Sequence, residues 1–171
     1  MHPSLRFVPI DLARHRDVCV RFRRDATICS FGDDGRFERE SGADGSGYLD
    51  WLRERISELP LGCVHVWQGD EIIGQMEMRH GRTAGSGYVN LFYLVPAQRG
   101  MGKSILLHDY AAKLFQSLGK ERMQLCVAPA NHRAVHFYRK AGWVDLGPRP
   151  GQADVHLMEF RLQHGSSEVH E

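Results

Sequence analysis

The sequence predicts an α/β (α+β mixed) fold built on one central mixed, mostly antiparallel sheet of about seven strands. Three observations predict it. Cys63 to Trp67 and Glu71 to Arg79 alternate in hydropathy around Gln68-Gly69-Asp70, which reads as a hairpin. Tyr88 to Val95 is a β-branched and aromatic run that ends at Pro96 in a glycine-rich turn and a helix. The whole chain reads β-α-α-β-β-β-α-β-α-β-β, so hairpins come before the central strand and helical crossovers after it. A parallel pair is expected around the glycine-rich turn.

In order, Leu5 to Ile10 reads as a first strand, and Asp11 is placed to cap a helix from Leu12 to about Ser30, with Val18, Val20, Phe22 and Ile28 at helical spacing. Phe31 to Gly47 is rich in Gly, Asp, Ser and charge and reads as a mobile loop, in a position suited to a substrate lid. Tyr48 to Leu59 carries Leu49, Leu52, Ile56 and Leu59 on one helical face, closed by Pro60 and Gly62. His80 to Gly87 reads as a loop. Ile105 to Leu118 reads as a helix burying Ile105, Leu106, Tyr110, Leu114, Phe115 and Leu118, stopped by Gly119. Met123 to Val127 is the next strand, and Asn131 to Ala141 a short helix stopped by Gly142. Trp143 to Leu146 and Val155 to Leu162 are strands joined by a Pro/Gly loop, and 163–171 is a polar tail.

The 171 residues suit a single domain, 1–171, with a real core. Apolar residues make up 42% and charged residues 25%, a globular profile, and a net charge of +1 gives no broad field for nucleic acid or membrane. Cys19, Cys29, Cys63 and Cys126 show neither close pairing nor metal-ligand spacing, which suits free thiols in a reducing cytoplasm and no metal. No apolar run is long enough to span a bilayer, and the N-terminus lacks a signal-peptide core.

The turn Arg99, Gly100, Met101, Gly102, Lys103, Ser104 opens a helix directly after a strand. Backbone N–H groups and the helix dipole converge there on an anion, and glycine lets the backbone approach a phosphate without a Cβ. Ala97-x-x-x-x-Gly102-Lys103-Ser104 is one residue short of a Walker A pattern. A P-loop protein also needs a Mg²⁺-binding acid at the end of another buried strand, but Met123 to Val127 runs into Ala128 and Pro129.

Two motifs favour another reading. Leu94-x-Pro96-x-x-Arg99-Gly100-x-Gly102 and Asn131-x-x-Ala134-x-x-Phe137-Tyr138-x-x-x-Gly142-Trp143 together resemble the signatures of the GNAT superfamily of N-acetyltransferases. The resemblance spans Val64 to about Phe160, with a CoA-binding core of about 64–160. Ser104 stands where the family prefers Gly or Ala, and Lys103 where it often has an aliphatic residue. The resemblance implies a twisted sheet with helices on both faces and acetyl transfer from acetyl-CoA to a primary amine of a small molecule or protein, by direct attack in a ternary complex. It implies that Arg99, Gly100, Met101, Gly102, Lys103 and Ser104 hold the diphosphate. It sets the pantetheine arm along Phe92, Tyr93 and Leu94, like an added strand, where the strand Met123 to Val127 splays away. Asn131 and Phe137 pack the arm, and Lys140, with Arg133 and Arg139, reaches the 3′-phosphate. Tyr138 becomes the acid that protonates the departing thiolate, since a phenol with pKa about 10 is protonated at neutral pH. The base stays open among Glu77, His65, His80, His108 and His156, with Glu77 and His156 ranked level, and Asn90 stands near where many relatives carry an acid. A homodimer also stays open. A non-catalytic acyl-CoA-binding regulatory module is the alternative, and Tyr138 favours the enzyme.

Overall fold

The computed structural model describes residues 4–163. Of the polar tail, all but residue 163 lies outside that range. Seven strands form one sheet in the order β1-β2-β3-β4-β5-β7-β6. They are β1 (Leu5–Pro9), β2 (Cys63–Gln68), β3 (Glu71–His80), β4 (Ser86–Leu94), β5 (Arg122–Val127), β6 (Val144–Arg149) and β7 (Gln152–Arg161). Only β4 and β5 run parallel; every other pairing is antiparallel. The helices are α1 (Leu12–Phe31), α2 (Gly35–Ser41), α3 (Ser46–Glu58), α4 (Ser104–Ser117) and α5 (His132–Ala141). The expected mixed sheet with one parallel pair is therefore present, and α4 makes the crossover between its strands.

The core has three parts, the smallest being Phe22 of α1 packed with Leu91 and Tyr93 of β4. Leu107, Ala111, Leu114 and Phe115 of α4 pack with Val64, Met76, Val89, Met123 and Met158 of the sheet. Helices α1 to α3 build the second part with Cys19, Phe37, Tyr48 and Leu52 around Cys63. Capping follows the sequence. Asp11 accepts from Arg14 N at the start of α1, Asn131 accepts from Ala134 N at the start of α5, and Gly142 closes α5.

Two expectations are corrected. Phe31 to Gly47 is not a loop throughout, because Gly35–Ser41 is helical. Its one apolar anchor, Phe37, is buried beneath the Arg24 guanidinium, which also pairs with Asp34 and Glu38. Arg36 ties the same helix to Asp154 of β7 at 2.7 Å. The buried face of α4 is also rotated from the expected one. Leu107, His108 and Ala111 face inward, while Ile105 and Leu106 are each 44% exposed and Leu118 is exposed too. Three consecutive apolar residues cannot fix a helical face, and His108 is buried because its Nε2 accepts from Trp143 Nε1 at 2.9 Å. Strand β4 begins earlier than the aromatic run suggests, because Gly87 lies flat against the Phe115 ring.

Beneath α1 and α3 lies a buried polar chain. His65 Nε2 meets Gln75 Oε1 at 2.8 Å, and Gln75 Nε2 donates to the Tyr48 hydroxyl (2.9 Å) and to Glu77 Oε2 (2.7 Å). Since the amide oxygen only accepts, His65 carries its proton on Nε2, and its buried Nδ1 has no partner among the described residues. Burial pulls His65 down to about 4 and lowers His108 as well.

Two outcomes follow from this packing. A Cβ at position 87 would stand 2.3 Å from Phe115 Cδ1, so Gly87→Ala should cost about 1–3 kcal/mol, read as a lower urea midpoint with unchanged slope. The unfolded chain restores His65 to its ordinary value near 6.5, so it binds more protons than the native state below that pH. The stability His65 contributes is whole above that value and is lost as pH falls toward the folded one. Roughly 2 kcal/mol should be gone by pH 5 relative to pH 8. Urea titrations at the two pH values check this, and His65→Gln should flatten the difference.

Candidate active site

The site begins where β4 and β5 part. Their ladder runs from Ser86↔Arg122 to Val89↔Leu125 and stops. On its other side β4 stays paired with β3, but the register jumps from Met78↔Val89 to Glu77↔Leu91. Asn90 is thus the extra residue of a β-bulge, which bends β4 where it leaves β5. The β5-facing edge of β4 from Asn90 to Leu94 consequently has no strand beside it.

A cavity of about 870 Å³ fills this gap. The turn after β4 closes one end. Gly100 and Gly102 have φ of 75° and 79°, in the left-handed region that a side chain strains against. Nothing lies within 4 Å of a Cβ built on Gly102, so the amides around it are open to a ligand. They lead into the N-terminus of the 14-residue helix α4, whose dipole adds to their attraction for an anion. Arg133 and Lys140 of α5 stand on the rim.

Of the residues expected to hold the cofactor, Phe92, Tyr93, Leu94, Arg99, Gly100, Gly102, Ser104, Asn131, Phe137, Tyr138 and Lys140 line this cavity. Met101 and Lys103 do not. Met101 points to solvent at 56% exposure, and Lys103 Nζ donates to Gln98 Oε1. The Arg99 side chain also does something the motif did not suggest. Its Nε donates to the Leu94 carbonyl (2.8 Å) and its guanidinium to Asp25 Oδ2 (3.0 Å), which also accepts from the Tyr93 hydroxyl (2.5 Å). Arg99 therefore braces the turn against α1, and the turn's backbone faces the cavity.

Tyr138 of α5 lines the cavity. Its ring is held by Phe92 (6.2 Å between centroids), Trp143 (5.5 Å) and its neighbour Phe137 (5.5 Å). Burial pushes its phenol above the ordinary range, so it stays protonated at any physiological pH.

A second cavity, of about 590 Å³, lies beneath α1 to α3. Ala26, Ser30, Asn90, Leu91 and Cys126 line both cavities, so the two meet at the bulge. Asn90 carries a buried Oδ1 with no hydrogen-bond partner among the described residues, while its carbonyl accepts from Arg23 at 3.1 Å. Glu77 is completely buried and lines neither cavity. Between it and the second cavity stand Tyr48, whose hydroxyl donates to Glu77 Oε2, and Arg23, which meets Glu77 Oε1 at 3.3 Å. His156 is not brought to either cavity. It pairs across β6, with Nδ1 3.0 Å from Asp145 Oδ2, and Asp145 also meets Arg139. Sequence reasoning missed Asp25, Arg23, Tyr48 and Cys126, because none lies in a motif and their roles arise from contacts across 23 to 74 positions.

Among the described residues no helix is long and apolar enough to cross a membrane. The same fold occurs in PaiA N-acetyltransferase of Thermoplasma acidophilum in complex with coenzyme A (TM-score 0.70, 17% identity, 92% of this chain and 99% of that one). It occurs in spermidine N-acetyltransferase of Vibrio cholerae with CoA and spermine (0.69, 18%, 92% and 95%). YncA of Salmonella typhimurium with its cofactor acetyl-CoA also shares it (0.69, 16%, 99% and 100%). The sequence model of the Acetyltransferase (GNAT) family matches residues 23–143, a span that runs from α1 through the bulge, the glycine turn and α5. The parted strands and the turn that closes their gap lie within that span, and the chain belongs to the Acetyltransferase (GNAT) family.

Proposed function

We propose that the protein transfers an acetyl group from acetyl-CoA to a primary amine of a small molecule or protein, by direct attack in a ternary complex. The observation that carries this reading is the meeting of two cavities at the Asn90 bulge, one ending in the glycine turn and lined by the Tyr138 phenol. The residues present fit acetyl-CoA. The open amides at Gly100 and Gly102 suit a diphosphate, the unladdered edge of β4 suits an amide-bearing arm, and Asn90 Oδ1 offers an unused acceptor.

Bound there, acetyl-CoA supplies an acetyl thioester, whose C–S bond breaks as the acceptor nitrogen bonds the carbonyl carbon. The residues of the chain handle the protons. Tyr138, kept neutral by burial, gives its proton to the departing sulfur. The acceptor amine sits in the second cavity and must shed a proton as it attacks. Tyr48 lines that cavity and hands on to Glu77, so Glu77 receives the proton through the Tyr48 hydroxyl. His156 holds β6 and β7 together through Asp145 and takes no proton from the amine.

Acid and relay are tested together by CoA release from acetyl-CoA and a panel of amines, amino acids, polyamines and peptides. Tyr138→Phe should lower kcat by about 10²–10⁴-fold with the dissociation constant for acetyl-CoA within about twofold; an unchanged kcat removes Tyr138 from the chemistry. Glu77→Gln should lower kcat, whereas His156→Ala should keep it near wild type. The brace gives a separate outcome. Asp25→Ala frees Arg99 and should raise KM for acetyl-CoA by about 10-fold with kcat little changed, as expected when a binding turn loses its support.

A further inference from the structure

The second cavity carries more positive than negative charge, and this charge is unevenly engaged. Arg23, Arg36 and Arg149 line it, against the single carboxylate of Glu40. Arg36 is committed to Glu40 (3.1 Å) and Asp154 (2.7 Å), and Arg23 to Glu77 (3.3 Å) and the Asn90 carbonyl (3.1 Å). Arg149 has no carboxylate partner among the described residues. Its one side-chain contact of this kind is Nη1 to Cys126 Sγ at 3.6 Å, a soft neighbour that leaves the guanidinium's charge unanswered. It is also well placed, because Arg149 pairs with Gln152 across the two-residue turn Pro150–Gly151 that joins β6 to β7.

We infer that Arg149 receives the carboxylate of an acceptor that is an α-amino acid or a close relative of one. This rests on the acetyltransferase reading above and names the substrate class of that site. The position of Arg149 limits how far the anion lies from the reacting nitrogen. Cys126 is one of the five residues that line both cavities, so it marks the junction where an acceptor nitrogen would meet the thioester, and Arg149 touches that same residue. An anion held by Arg149 lies beside that junction, as the carboxylate of an α-amino acid lies beside its amine. A guanidinium grips a carboxylate through two parallel N–H bonds, which also fixes the direction of the amine. The aromatic side of the cavity, with Tyr48, Trp51, Phe31 and Phe37, is left for the rest of the molecule. A polyamine would instead bring a second cation against Arg149.

Matched pairs isolate the carboxylate: L-phenylalanine against phenethylamine, L-methionine against 3-(methylthio)propylamine, and L-ornithine against putrescine, each assayed for CoA release at pH 8. The amino acid should have the higher kcat/KM by about 100-fold in at least one pair. For that amino acid, Arg149→Met should raise KM by about 100-fold while KM for acetyl-CoA stays within about twofold, and Arg149→Lys should fall between. Thermal midpoints of both variants show that they fold. Decarboxylated amines that match or beat the amino acids overturn the assignment and leave the transferase reading standing. Equal loss on both members of a pair in Arg149→Met also overturns it. Acetyl-CoA binding without CoA release to any amine defeats the transferase reading, and this assignment with it.

Discussion

The parting of β4 from β5 is the constraint on which the rest of the structure depends. A strand buried in a sheet normally spends its N–H and C=O groups on both neighbours, and leaving them unpaired away from water is costly. Here β4 gives up one neighbour after Val89. The bulge at Asn90 makes this geometrically workable, since an extra residue increases the local bend and turns the strand away from β5. Everything in the site is then arranged around the gap. The turn closes one end, α5 lines one wall with Tyr138, and the polar layer under α1 and α3 supports the other side of the bulge.

Two kinds of support hold the gap open. One is aromatic. Phe92, Phe137, Tyr138, Trp143, His108 and Phe160 form a continuous cluster, with the Trp143 indole N–H fixed on His108. This cluster sets the position of the phenol without using its hydroxyl. The other is polar and long-range. Asp25 of α1 accepts from both Tyr93 of β4 and Arg99 of the turn, so one carboxylate fixes the strand and the loop in a single frame. Such a charged cluster is partly exposed, and its contribution lies more in direction than in net stability.

Much of the fold was legible because it rests on local patterns. The hairpin of β2 and β3, the strand–turn–helix at Gly100 to Ser104 and the caps at Asp11, Asn131 and Gly142 each follow from residues a few positions apart. The lining of the first cavity was legible for the same reason, since both motifs are contiguous. The errors share a cause. Helix α2 is amphipathic only through Phe37, and its charges look like loop until Arg24 and Asp154 are brought to them. The face of α4 depends on a Trp–His bond across 35 positions. The motif groups Arg99, Lys103 and Met101, but the backbone of that turn faces the cavity while their side chains turn to Asp25, Gln98 and solvent. The brace and the buried polar chain join residues from α1, α3, β2, β3, β4 and the glycine turn, and no spacing in one sequence discloses such a meeting.

The open edge from Asn90 to Leu94 has one more consequence. A length of strand with a free side is a template for any extended chain, and the same hydrogen bonds that would accept a pantetheine arm would accept a peptide. The side chain of Arg99 covers the last carbonyl of this seam, and the cavity walls limit what can enter. Filling the seam removes the template altogether. A molecule lying along the seam would then guard the strand against pairing with a second copy, besides serving any chemistry done there.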